Sequence, residues 1–235
     1  LIIYYLLFII YYSFKYFHVY YIMIIGSLNI EKKDNLYQFS HSKEISNDIN
    51  SIFSILLQSF QLEYESILYC ANSIQTLDTF IETNSSSFTL KNANILLSSL
   101  YEQIVFLGEN NISISFIDLT DIIVVDGNLF FFCNYDKLFF IKQEKITITH
   151  LYDLDNPFLP PEFIHNDTIP FSTSDKSFFY SLGIIILHCL KQGHSFRFSK
   201  FSHTDVLDYY KHHLIHFSLL ECINQDPDKR KLFIF

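Results

Sequence analysis

The sequence predicts an α+β fold on three observations. Long stretches place apolar residues at helical three-and-four spacing. A single clear hairpin signal, Asp126-Gly127, stands between the apolar runs Ile122–Val125 and Asn128–Phe132. No internal repeat occurs, and the C-terminal two thirds read as helical with one small hairpin inserted. At 235 residues the chain is one domain, or a compact one with two lobes, on the basis of about 100–200 residues per domain.

Taken in order, Leu1–Ile25 is almost wholly apolar, interrupted by Ser13, Lys15 and His18 and closed by Gly26. Ser27–Ser40 is polar and reads as a loop or short strands. Ser42–Phe60 carries Ile45, Ile49, Ile52, Phe53, Leu56, Leu57 and Phe60 on one helical face. Ser66–Cys70 reads as a short strand, and Thr76–Ile81 as a short helix before an Asn-Ser-Ser-Ser loop. Leu90–Leu107 is a second strong helix, with Ala93, Leu96, Leu97, Leu100, Ile104 and Leu107 aligned and Gly108 at the stop position. Residues 153–172 hold four of the five prolines and read as a long irregular loop. Phe178–Leu190 is apolar enough to be a helix buried on most sides. A last helix is expected from Asp205 to Ile223, ended by Asp226-Pro227.

Composition excludes some functions. The net charge is −9, and the densest basic run, Lys229-Arg230-Lys231, adjoins Asp226 and Asp228. A nucleic-acid surface needs a basic stripe, so none is expected. Cys70, Cys133, Cys189 and Cys222 form no CxxC pair and read as buried free thiols of a reducing, intracellular compartment. His212, His213 and His216 lack an acidic or Cys partner at metal-ligand spacing.

Leu1–Ile25 exceeds the about 20 residues a membrane helix needs. Against a span stand its central Lys15 and its many tyrosines, which belong at interfaces. Membrane anchor, strands of an N-terminal lobe and translated non-structural sequence all stay open. The first residue is Leu rather than Met, which suggests a fragment or a reading frame extended upstream.

The order of motifs from Tyr69 to Phe235 resembles the protein kinase family. Cys70–Glu82 resembles the hinge and the short helix after it, and Leu90–Gly108 the long helix before the catalytic loop. Asn111–Leu119 stands where kinases have N-I-x-H-R-D-L, and Val124–Leu129 is similar to the hairpin that follows. Leu159-Pro160-Pro161-Glu162 resembles Ala-Pro-Glu, Tyr180–Gly183 resembles W-S-L-G, and Leu219–Arg230 resembles C-L-x-x-D-P-x-x-R. The composition is similar to that of divergent kinase-like proteins of large DNA viruses. The resemblance implies a kinase-like fold, mainly the helical C-terminal lobe with a reduced or truncated N-terminal lobe. Its implied division is 1–26 as a separate hydrophobic segment, 27–70 as a remnant N-terminal lobe and 71–235 as the C-terminal lobe.

The resemblance also implies where chemistry would reside and where it is missing. Asp118 is the candidate base, with a turn-capping Asp as the equal alternative. Phe116 and Ile117 replace the His and Arg before it. The magnesium-binding Asn falls on Ile122 or Ile123, and Asn134 and Asp136 are the remaining candidates for magnesium. There is no Gly-rich loop and no Val-Ala-Ile-Lys; Lys32, Lys33 and Lys43 lack its strand context. Glu44 or Glu63 could be its helix partner but read as surface. Glu162 and Arg230 match the pair that anchors the activation segment, while Phe178 occupies the usual Asp position of the central helix. The expectation is a pseudokinase scaffold or regulator with a protein partner. A divergent Ser/Thr kinase, using ATP and magnesium on a protein substrate, is the first alternative. A membrane-anchored α-rich protein, held through Leu1–Ile25, is the second.

Overall fold

The computed structural model of the chain describes residues 22–33, 36–42, 61–63, 66–84, 88–166, 168–193 and 202–234. Alternation of inward and outward side chains builds its first layer. In Ile22–Ile25 (β1), Met23 and Ile25 are buried while Ile22 and Ile24 are exposed. Gly26 and Ser27 turn the chain into Leu28–Lys33 (β2), and Leu36–His41 (β3) returns. Gln61–Glu63 (β4) and Ser66–Cys70 (β5) complete an antiparallel sheet in the order β1-β2-β3-β5-β4. The β2–β3 register sets Ile30 opposite Phe39, so Leu28, Ile30, Tyr37 and Phe39 share the buried face.

This layer corrects one expected boundary. Ile22–Ile25 pairs residue for residue with Leu28–Glu31, so a division after Gly26 would cut a hairpin. The rest of the apolar stretch, residues 1–21, and the helix expected over Ser42–Phe60 lie outside the described residues, apart from Ser42. Among the described residues no helix is long and apolar enough to cross a membrane.

The second layer is helical with small sheets inserted. Leu77–Thr83 (α1) starts at Thr76, whose Oγ1 accepts from Thr79 N. Leu90–Glu109 (α2) starts in a capping box made by Thr89 and Asn92. It runs through Gly108, which stays right-handed and so stops nothing. The reversal comes at Asn111, with φ 57°.

Ile74–Thr76 (β6), Ile122–Val125 (β8) and Leu129–Phe132 (β9) form one antiparallel sheet. Its turn has φ 50° at Asp126 and 70° at Gly127, as the Asp-Gly pair predicts. Buried Gln103 of α2 clamps β9: its amide donates to Phe130 O and its carbonyl accepts from Phe132 N. Ile112–Ile114 (β7) pairs with Leu138–Phe140 (β10), and Lys145–Ile148 (β11) with Phe171–Ser174 (β12). The proline-rich stretch is therefore not wholly irregular: it contains Pro161–Ile164 (α3) and runs into β12.

Ser177–Gly193 (α4) is the buried central helix. A β-carbon at Gly183 would lie 2.7 Å from Ile223 Cγ2, so this glycine sets the approach of the chain after Leu214–Cys222 (α6). The expected last helix is two, His203–Tyr209 (α5) and α6. Val206, Leu207 and Tyr210 face inward, and one continuous helix would next bury Leu214 and Phe217. Those two are 60% and 53% exposed, whereas Ile215, Ser218, Leu219 and Cys222 are buried. The apolar phase slips, and the break between the helices absorbs it.

One contiguous apolar core joins both layers, from Met23, Leu28 and Phe39 to Leu100, Ile185 and Leu219. A smaller core gathers Phe116, Ile146, Ile148, Leu159 and Phe163.

Candidate functional site

The site forms where the sheet layer meets the segments flanking the β8–β9 hairpin. Short strands fix both flanks: β7 delivers residues 115–121 and β9 delivers 133–137. Cys133 N donates to Asp121 O, tying the two flanks at the backbone.

Asp118 adopts its capping role here. Its Oδ1 accepts from Leu119 N at 2.6 Å, its backbone N–H donates to Asp121 Oδ2 at 2.7 Å, and its Oδ2 accepts from Asn156 Nδ2 at 2.6 Å. Both carboxylate oxygens are thus engaged by the chain itself.

Asp121 is the centre of the cluster and escaped the sequence reading. The resemblance to kinases put the magnesium-binding Asn at Ile122 or Ile123, whose side chains are buried in β8. The side chain that enters the site is the last polar residue before that strand. Asp121 is 2% exposed. Its Oδ1 accepts from Asn134 Nδ2 at 2.7 Å and its Oδ2 from Lys137 Nζ at 2.5 Å. The Lys137 ammonium also stands 3.7 Å from the Phe116 ring centroid. Burial holds the Asp121 carboxyl above its ordinary value, with Lys137 pulling the other way.

Asn134 and Asp136, the residues considered for magnesium, do lie beside Asp121. Asn134 is buried, and its Oδ1 accepts from Asp136 N at 3.1 Å. Asp136 Oδ1 accepts from Ser27 Oγ at 3.1 Å. A β-carbon at Gly26 would lie 2.4 Å from Asn134 Oδ1 and 2.8 Å from Asp136 Oδ2. The β1–β2 turn therefore rests directly on these two residues. Among the described residues no three His, Cys, Asp or Glu side chains converge to hold a metal ion.

The segment joining the sheet to the helical body is anchored from both sides. Asp126 Oδ1 accepts from Asn72 N and Ser73 N at 2.9 and 2.8 Å. Ile74 N donates to the hydroxyl of Tyr37 at 3.2 Å. Tyr37 and Phe39 are 2% and 1% exposed and belong to the core that contains Ile74, Leu77 and Cys133.

Glu162 and Arg230 lie apart from this cluster and pair with each other. Arg230 Nη1 and Nη2 donate to Glu162 Oε1 and Oε2 at 2.6 and 2.8 Å, a bidentate fork. Nε donates to Asn224 O and Nη1 also to Ser177 O, while Tyr180 lies under the guanidinium. One fully buried cation thus joins α3, the start of α4 and the turn after α6. Phe178 is buried among core residues and offers no polar group to the loop around Asp118.

Of the cysteines, Cys133, Cys189 and Cys222 are buried and Cys70 is exposed, which corrects the expectation that all four are covered.

No family model matches the chain, and no curated protein matches it.

Proposed function

We propose that the chain is a protein-kinase-like pseudokinase, a two-lobed scaffold that works through protein contacts and has lost phosphoryl transfer. The observation that carries this reading is that the polar groups of the candidate site are engaged by the chain's own atoms. Phosphoryl transfer relies on positioning and charge neutralisation around a bound nucleotide. In kinases the phosphate-contacting lysine stands on the third strand of the small lobe. Here β3 has no lysine, and its inward positions hold Tyr37 and Phe39. The Tyr37 hydroxyl takes the Ile74 N–H in the hinge-like segment. The only glycine before Gly108 sits in a two-residue turn pressed onto Asn134 and Asp136. Asp118 is committed to Leu119 and Asn156.

What supports the scaffold half of the reading is the intact Arg230 fork beside this emptied chemistry. The fork joins α3, α4 and the turn after α6, and losing one partner would leave a buried charge unpaired whether or not catalysis occurs.

The test is a thermal-shift titration with magnesium-ATP joined to a phosphotransfer assay on a broad substrate panel. No shift in melting temperature and no transfer are expected. Transfer that disappears in Asp118→Asn overturns the reading and makes the chain a divergent Ser/Thr kinase.

A further inference from the structure

The resemblance to kinases implies a divalent cation between the two flanks of the β8–β9 hairpin, and the residues present do not fit one. A hard cation of magnesium's size demands several oxygen ligands in near-octahedral geometry. Asp121 Oδ1 faces the Nδ2 of Asn134, not open space. Asn134 cannot turn its amide over. Asp121 Oδ1 only accepts and Asp136 N only donates, so the nitrogen must face the first and the oxygen the second. The other oxygen of Asp121 holds the Lys137 ammonium and the Asp118 N–H. The remaining face, at Asn134 Oδ1 and Asp136 Oδ2, is covered by Gly26.

We propose that the Lys137 ammonium is a tethered substitute for the divalent cation, which neutralises Asp121 from within the chain and leaves the cluster indifferent to magnesium or manganese. This inference rests on the pseudokinase reading and deepens it. A buried carboxylate needs a counter-charge. The chain supplies one from Lys137, whose side chain is 13% exposed while that of Asp121 is 3% exposed. Phe116 completes the arrangement: its ring, standing where kinases carry His, presents an aromatic face to the ammonium. Asp121, Lys137 and Phe116 thus form one substitution set. A divalent ion entering beside the ammonium would meet direct like-charge repulsion.

Removing the ammonium should free Asp121 Oδ2 for a hydrated cation while the other oxygens of the cluster stay engaged. Manganese binding is read by electron paramagnetic resonance and by melting temperature, without nucleotide, on wild type, Lys137→Met, Lys137→Arg and Lys137→Met/Asp121→Asn. Wild type and Lys137→Arg are expected to show no binding at millimolar manganese. Lys137→Met is expected to melt lower than wild type, to bind manganese at the millimolar concentration where wild type binds none, and to recover part of its melting temperature. Adding Asp121→Asn should abolish that recovery. Manganese binding by wild type or Lys137→Arg overturns the proposal, as does a folded Lys137→Met indifferent to the metal. If Lys137→Met does not fold, wild type and Lys137→Arg still decide. Failure of the pseudokinase reading would appear separately, as phosphotransfer by the wild type.

Discussion

Gly26 lies against Asn134, so closely that a β-carbon at position 26 would stand 2.4 Å from the Asn134 amide oxygen. This contact lowers the β1–β2 turn onto the segment after β9, and the positive φ of 56° at Gly26 makes the turn possible. Gly26→Ala should therefore strain the backbone and push against Asn134 together, costing about 2 kcal/mol or more. Urea denaturation measures it, and an unchanged midpoint would mean that the turn does not rest there.

Arg230 makes a different kind of join. Arg230→Met should destabilise by about 3–5 kcal/mol, because Glu162 is left without its partner and two backbone carbonyls lose a donor. Arg230→Lys should rescue little, since a lysine cannot form the two-pronged contact. The double variant Glu162→Gln/Arg230→Met should lose less than the two single variants added together. Additive losses would show that the two residues act independently.

Asp121 sets an unusual pH dependence. Burial raises its folded-state carboxyl above the unfolded value of 3.8, despite the opposing pull of Lys137. In the window between those two values the native state holds more protons than the unfolded one. Its contribution to stability therefore falls as pH rises from 3.8 through the folded value. Denaturation of wild type and Asp121→Asn across the mildly acidic range isolates this term. The wild type should lose ground to the variant as pH increases; a gap that widens in its favour contradicts the assignment.

Thiol chemistry should separate the cysteines. Burial pushes the Cys222 thiol up to about 12 and raises Cys133 and Cys189 further, with the Asp121 charge adding to the effect at Cys133. A thiol reagent should label Cys70 alone in the folded protein and all four cysteines in denaturant. Rapid native labelling of Cys133 would show that the site between the hairpin flanks opens.

How much of this was legible depended on how local the signal was. The Asp126-Gly127 hairpin, α1, α2 and α4 could be read directly, because a turn needing positive φ and an apolar face at helical spacing involve neighbouring residues. Boundaries were less secure: Gly108 reads as a stop yet stays inside α2, and the phase slip between Tyr210 and Leu214 is hidden by apolar residues on both sides. The strands β1 to β3 carried no composition signal strong enough to separate them from loop or membrane segment. At the site, the resemblance to kinases pointed to Asp118, a candidate base or a capping Asp, and passed over Asp121, because its count overshoots into β8.

By itself, then, the sequence determined an acidic α+β chain with an aromatic-rich core and a set of ordered motifs. Tertiary structure alone decided which charges meet. Glu162 and Arg230 are 68 residues apart, Asp121 and Lys137 are 16, and Ser27 and Asp136 are 109. Periodicity reports only what residues within a turn or two do to one another. The resting of the β1–β2 turn on Asn134 and the pairing of Lys137 with Asp121 arise from chain segments that meet only once the core has formed.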